Sequence, residues 1–343
     1  MTGNNPANVN PREPHLSAAW FDLLCHTALP EGTLTDQIET PTATGNTSLL
    51  RLMRQPSTPW KLEALANFYS PIYGPVDHVL PTSEALRQAM HAIRTARHQR
   101  TAVLELSPLD PDDDFFSTAQ TALNRAGWLT GRYFRFGNWF APIASNSFAN
   151  FMAERPSRLR NTLQRSQRKI ERLRAVSISI HTLADHTLTQ AISDFVTVYN
   201  RSWKQPEPYP DFIPGLCTLA AQRGWLRLGI MRSEGYAIAA QLWLVSGQRA
   251  QIVKLAHDPD WKHGSIGTVL TAKLMQHVIE CDHVTEIDYL IGDDNYKQDW
   301  TPQRRERHGL IAFNPGSARG LLEAARHFGG RILRRKLASP TPS

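Results

Sequence analysis

An α/β fold of the α+β type, with a mixed sheet, is predicted by three features of this 343-residue chain. Strands and helices alternate over residues 48–148, which makes one α/β unit. From Val176 to Asn314 the elements read in the order β-α-α-β-β-β-α-β-α-β. Within that order Gly235 and Gly247 separate three consecutive apolar runs, as tight hairpin turns require, so those strands form an antiparallel meander.

Residues 1–16 are polar and rich in Asn and Pro, which predicts a disordered leader. Ser17–Leu29 reads as a short amphipathic helix, and a loop rich in Thr, Pro and Gly follows to Thr47. The run from Ser48 is a strand. Leu86, Met90, Ile93 and Ala96 recur at helical spacing over Ser83–Arg97, after a Pro81-Thr82 lead-in. Thr101–Leu106 is a strand, Asp113–Ala126 a helix and Gly131–Ala141 an aromatic strand. Residues 155–174 form a strongly basic helix: Leu159, Leu163, Ile170 and Leu173 supply its apolar stripe, while Arg158, Arg160, Arg165, Arg168, Lys169, Arg172 and Arg174 fill the rest. That basic face is either solvated surface or a cradle for an anionic group.

After the strand Val176–Thr182, Asp185 is placed to cap a helix that runs to Trp203. A proline-rich loop and a helix over Phe212–Gln222, ended by Gly224, precede the meander at 225–233, 236–246 and 248–258. A glycine-containing turn then opens a helix over Thr268–Cys281. The strand at Ile287 follows, and residues 304–314 form the last strand. Ser317–Leu337 is a basic amphipathic helix with a Gly-Gly break, suited either to docking on the second domain or to lying on an anionic membrane.

The composition, 41% hydrophobic and 20% charged, is that of a globular protein, and a net charge of +7 favours anionic partners. Cys25, Cys217 and Cys281 have no paired spacing, which argues against a disulfide framework and a zinc site and fits a cytoplasmic setting, free or peripheral at the inner face of a membrane. No segment has the apolar length of a membrane span, and the first fifteen residues lack the charged and apolar regions of a signal peptide.

The stretch Ile287–Trp300 concentrates the chemistry. Asp288 lies inside an apolar strand, where a carboxylate is costly unless something needs it. Burial there disfavours its charged form, which would suit a general base; the alternative is a carboxylate paired with Arg or Lys or hydrogen-bonded to backbone. Asp293 and Asp294 follow Gly292, and each is a candidate N-cap or a substrate-amine ligand. Tyr296 and Lys297 sit on the next helical turn. Trp203 and Trp300 are either core residues or platforms for a ligand, and His257 and His263 flank the turn before Thr268.

These residues carry a resemblance. Asp288-Tyr289-Leu290-Ile291-Gly292-Asp293-Asp294-Asn295-Tyr296-Lys297-Gln298-Asp299-Trp300 is similar to the Asp-Phe-x-x-Gly-Asp-x-x-Tyr-Lys-x-x-Trp pattern of the CelD-like, FemAB-related branch of the GNAT acyltransferases. Ser265-Ile266-Gly267 stands where that branch has Ser-Pro-Gly. Trp203, the Arg-rich helix and Arg223-Gly224-Trp225-Leu226-Arg227-Leu228 also resemble it. The resemblance spans Arg158–Trp300 and implies tandem GNAT-like units, the first degenerate: a leader to residue 16, a degenerate unit over 17–150, an acyltransferase domain over 151–316 and a basic tail over 317–343. The first unit would help frame an acceptor groove.

The resemblance further implies acyl-CoA, acetyl or longer, as donor and an amine as acceptor, on a small molecule or a precursor of cell-envelope or polysaccharide biosynthesis. The pyrophosphate would lie at a helix start formed by Lys262, Gly264, Ser265, Gly267 and Thr268, a degraded version of the usual Arg/Gln-x-x-Gly-x-Gly/Ala pattern whose glycines still permit close backbone approach. Tyr296 would protonate the leaving thiolate, and Lys297 would stabilise an oxyanion or hold a phosphate. Trp203, Asp293, Arg165 and Arg168 would bind substrate, without a metal. An aminoacyl transferase fed by charged tRNA, with the basic helix as phosphate track, is the alternative, and a catalytically silent GNAT-fold protein that binds nucleic acid is a third.

Overall fold

The computed structural model describes residues 13–96, 101–171 and 175–338, with side chains except at 262–264 and 330–338. The chain runs α1 (Ala18–Thr27), β1 (Leu34–Pro41), β2 (Thr47–Arg54), β3 (Lys61–Ala64), α2 (Ser83–Thr95), β4 (Val103–Leu109), α3 (Asp114–Arg125), β5 (Leu129–Pro142), α4 (Phe148–Ala153) and α5 (Ser157–Glu171). It continues as β6 (Val176–His181), α6 (Leu188–Arg201), α7 (Phe212–Gln222), β7 (Leu226–Ser233), β8 (Tyr236–Ser246), β9 (Arg249–His257), α8 (Ile266–Glu280), β10 (Glu286–Asp288), α9 (Asn295–Trp300), β11 (Gln303–Phe313) and α10 (Ala318–Ala338). The order predicted from Val176 onward is the order found.

Two compact units divide these elements. The first comprises His15–Phe21, Leu29–Phe136 and the chain from Glu306; the second is built on Asp22–Ala28 and Gly137–Arg305, with Glu13 and Pro14. The division is not a cut at one point, because strands are exchanged. β5 from Gly137 pairs with β10 in the second unit, while β11 pairs with β4 in the first, with Leu310 opposite Leu106. The series β1-β2-β3-α2-β4-α3-β5 repeats as β7-β8-β9-α8-β10-α9-β11. Each series holds two antiparallel pairs and then one parallel pair.

In the second unit β8 is the central strand, and nearly all of its residues are buried. Both turns flanking it have two residues at positive φ: Glu234 (51°) with Gly235 (85°), and Gly247 (55°) with Gln248 (65°). That is the backbone a two-residue hairpin needs to match strand twist. α8, α5 and the β7–β10 strands enclose a core that includes Trp243, Leu270, Met275, Ile287 and Trp300.

Some expectations are corrected. β1 lies where a loop was expected, and β3 in a stretch to which no strand was assigned: β1 is an exposed edge strand with polar residues on both faces, and β3 has four residues, so neither shows alternation. Asp185 does not cap α6; its carboxylate accepts from the N–H and hydroxyl of Thr187, which occupies the cap position. The leader to residue 12 lies outside the described residues, but Pro14–Leu16 forms a 3₁₀ turn that buries His15 and Leu16. α10 runs through Gly329-Gly330 without a break. It docks on the first unit, not the second: Ala324 and Phe328 pack against Ala102, Val103 and Phe313, and Arg319 lies 4.0 Å over the Trp60 ring.

Candidate active site

A wedge opens in the second unit between its two parallel strands. β9 and β10 pair over three residues, Arg249–Gln251 against Glu286–Asp288. β9 then continues to His257 on β8, and a bulge leaves Val253 without an opposite residue. β10 ends at Asp288, the N–H of Tyr289 bonds to the Trp139 carbonyl (2.9 Å), and Leu290 (φ 53°) and Gly292 (φ 108°) turn the chain away. Backbone groups of β9 beyond Gln251 therefore have no ladder partner on β10, and such groups seek other partners.

Asp288 braces this corner. It is 2% exposed. Its Oδ1 accepts from Asn138 Nδ2 (2.5 Å) and the Leu290 N–H (2.6 Å), and its Oδ2 pairs with the Arg305 guanidinium. Arg305 also donates to Asn138 Oδ1 (2.6 Å) and Glu286 (2.8 Å) and lies 4.4 Å over the Phe140 ring. A general base must reach the proton it takes. Both oxygens of Asp288 are committed to donors of their own chain, so the geometry favours the structural alternative for this carboxylate. Arg305 and Asn138 are functional partners that the sequence reading missed; the only local signal was the cationic opening of the last strand.

The acidic turn is also spoken for. Asp293 holds Arg304 through two contacts (2.9 and 2.8 Å), and this hydrogen bonding keeps its carboxyl below the usual range despite some desolvation. Asp294 takes the N-cap position of α9, but its side chain makes no cap bond; it lies 3.3 Å from Lys297 Nζ. Lys297 is buried and its ammonium is filled by the carbonyls of Ile291 (2.6 Å) and Gly292 (3.3 Å) together with Asp294. Burial lowers its pKa, an effect Asp294 opposes. A Cβ on Gly292 would meet that ammonium at 3.1 Å. Tyr296 remains half-exposed, edge-on to Tyr289 (6.0 Å), and burial, with Asp294, raises its phenol pKa, so it stays a proton donor at neutral pH.

The start of α8 follows a 3₁₀ turn, Pro259–Gly264, and Ser265 in the left-handed region (φ 46°). The first N–H groups of a helix lack intrahelical partners and its dipole favours an anion there. Gln241 of β8 pins this end, donating to the Gly267 carbonyl (3.1 Å) and Thr271 (2.8 Å) while accepting from Trp243 (3.0 Å). The N–H of Thr268 turns back to Ser265 (3.0 Å). Side chains at Lys262 and Gly264 lie outside the described residues. Gly267 allows a close approach, since a Cβ there would stand 3.3 Å from His257 Nδ1.

His257 ends β9 at the wedge mouth, and Trp203, 57% exposed, lies on it with ring centroids 4.5 Å apart. Burial and the Lys204 charge hold the His257 pKa below its usual value, with Asp258 opposing. An imidazole kept neutral can accept a proton. Tyr199, Lys204, Glu207 and Lys254 complete the cluster: Lys254 pairs with Glu207 and reaches the Tyr199 hydroxyl at 3.5 Å. Arg165 and Arg168 are not part of it. They are exposed on α5, where Arg165 bonds the Asn161 carbonyl (3.2 Å), while Leu159 and Leu163 face the core that α8 shares. Cys217 is buried, which pushes its thiol up to about 12. No group of three His, Cys, Asp or Glu suited to a metal occurs among the described residues.

Residues 157–298 match the family model described as an acetyltransferase (GNAT) domain. The fold is similar to that of FemX, with a TM-score of 0.61 and 11% identity over 92% of this chain and 97% of that one. It is also similar to the C-terminal domain of a protein assigned as a lysylphosphatidylglycerol synthetase from Agrobacterium fabrum (0.53, 15%, covering 83% and 86%). A third similar structure is L-PGS from Bacillus licheniformis (0.50, 10%, covering 94% and 98%). At these identities the likeness is one of fold. No curated protein matches the sequence.

Proposed function

We propose that the chain is a GNAT-type acyltransferase, a reading supported by the acetyltransferase (GNAT) match over residues 157–298 and the FemX-like fold, and that it moves an acyl group from acyl-CoA, acetyl or longer, to an amine by direct attack. The observation that supports this reading best is the wedge past Gln251, with the start of α8 and His257 at its mouth. In the proposed reaction the N–H groups opening α8, around Ser265, Gly267 and Thr268, hold the donor pyrophosphate. The unpaired β9 backbone beside the wedge receives the amides of the pantetheine arm.

His257 takes the proton from the attacking amine. It fills the general-base role expected of Asp288, because its ring lies at the open end of β9 and burial lowers its pKa, which favours the neutral imidazole. Tyr296 then gives its proton to the departing thiolate. Lys297, tied to the Ile291 and Gly292 carbonyls, positions the corner on which Tyr296 stands. Direct attack is favoured over an acyl-cysteine because Cys25, Cys217 and Cys281 lie in α1, in α7 and at the C-terminal end of α8, outside the elements that build the wedge.

Calorimetry with acetyl-CoA and a long-chain acyl-CoA tests the donor. Saturable binding that is lost in Gly267→Glu is expected, and no binding of any acyl-CoA would overturn the reading. A second reading, aminoacyl transfer from charged tRNA, draws on the FemX-like fold and on the exposed cations Arg160, Arg165 and Arg168 of α5. Tight binding of aminoacyl-tRNA with a steep salt dependence would favour it. No helix among the described residues is long and apolar enough to cross a membrane.

A further inference from the structure

Three lysines converge near the wedge, and only one lacks an acceptor. Lys254 has Glu207, and Lys297 has two carbonyls and Asp294. The Lys204 ammonium faces two rings, Tyr199 at 5.6 Å and Trp203 at 5.9 Å, and no carboxylate or hydrogen-bond acceptor among the described residues takes it. Burial and the charges of Lys254 and Lys297 push its pKa down to about 8, with Glu207 and Asp294 opposing. A half-buried cation beside like charges is costly until an anion joins it. Ring faces attract a cation but leave its N–H groups free to donate.

The side of the sheet matters. Gln241 of β8 turns toward α8, so its neighbour Leu242 faces the other way, and Lys254 stands opposite Leu242. Lys254 accordingly meets Tyr199 of α6. Lys204 reaches Tyr199 on this α6 side and also Trp203, whose ring lies on His257, so an anion held by Lys204 lies beside the proposed base, where the acceptor must sit.

We propose that the acceptor is an amine carrying a carboxylate, and that Lys204, framed by Trp203 and Tyr199, binds that carboxylate beside His257. A single ammonium supplies one compact positive charge, which one carboxylate balances, and a phosphate is an outcome of the test. The proposal rests on the acyltransferase reading, since it assigns the second substrate of the same site.

The test uses the full chain and product-like probes: a panel of N-acetyl amino acids, each paired with its carboxamide, titrated by calorimetry. At least one carboxylate is expected to bind more tightly than its amide. That preference should fall ~10- to 100-fold in Lys204→Gln, as for loss of a hydrogen bond to a charged group, and return in part in Lys204→Arg. Melting of Lys204→Gln should change little, because the loss of two ring contacts is offset by relief of a half-buried charge beside Lys254 and Lys297. Preference for none of the carboxylates, or an unchanged preference in Lys204→Gln, would overturn the proposal. N-acetylglucosamine 6-phosphate serves as the phosphate arm, and Lys204-dependent binding confined to it would also overturn the carboxylate assignment. Acetyl-CoA is titrated in parallel: if it fails to bind either protein the donor reading falls, while the carboxylate–amide comparison still decides the role of Lys204.

Discussion

Replacing Asp288 with Asn keeps the shape of the side chain and removes the charge that Arg305 faces. The amide would also set its own NH₂ against a donor: Arg305 on one side, or Asn138 and the Leu290 N–H on the other. Leaving one partner of a buried ion pair uncompensated costs about 3–5 kcal/mol. Arg305 keeps Glu286 at 2.8 Å, so the lower end applies, about 3 kcal/mol. For a unit of this size that corresponds to a melting temperature lower by about 6–12 °C. Thermal and urea denaturation give the stability, and turnover is measured well below the transition. We expect the stability loss with a fall in kcat smaller than about tenfold, since both oxygens of Asp288 are held by donors of its own chain. Unchanged stability with turnover abolished and KM intact would refute the structural role and restore Asp288 as the base.

His257→Gln should lower kcat by about 10²–10⁴-fold while acetyl-CoA affinity persists. The neutral imidazole is the active form, so rate is lost as pH falls through a pKa held down by burial; the acid limb of kcat/KM should lie below about pH 6.5 and vanish in the variant. Gly292→Ala places a Cβ 3.1 Å from Lys297 Nζ at a φ of 108°. It should cost about 1–3 kcal/mol in urea denaturation and lower turnover by misplacing Tyr296.

The element order from Val176 on was legible because glycine turns and alternating strands punctuate it locally. β1 and β3 were not, since an exposed edge strand and a four-residue strand carry no period. The pairing of β5 with β10 and of β11 with β4 was hidden as well, because strand order along the chain does not state which strands become neighbours. In the site, residue types placed Tyr296 and Lys297 on a helical turn after Gly292 but did not show the carbonyls that hold Lys297. The role of Asp288 could not: Asn138 lies 150 residues away, and Arg305 is one cation among several in its strand. Lys204 carries no signal in the sequence, and its lack of an acceptor appears only when Lys254 and Lys297 are seen to have partners of their own.

The donor is the central claim, and mass spectrometry of the protein purified under native conditions from its host tests it most directly. A retained CoA thioester, present in the parent and absent in Gly267→Glu, is the predicted result, and its mass gives the acyl chain. Charged tRNA co-purifying in its place, with no CoA thioester bound, would contradict the account.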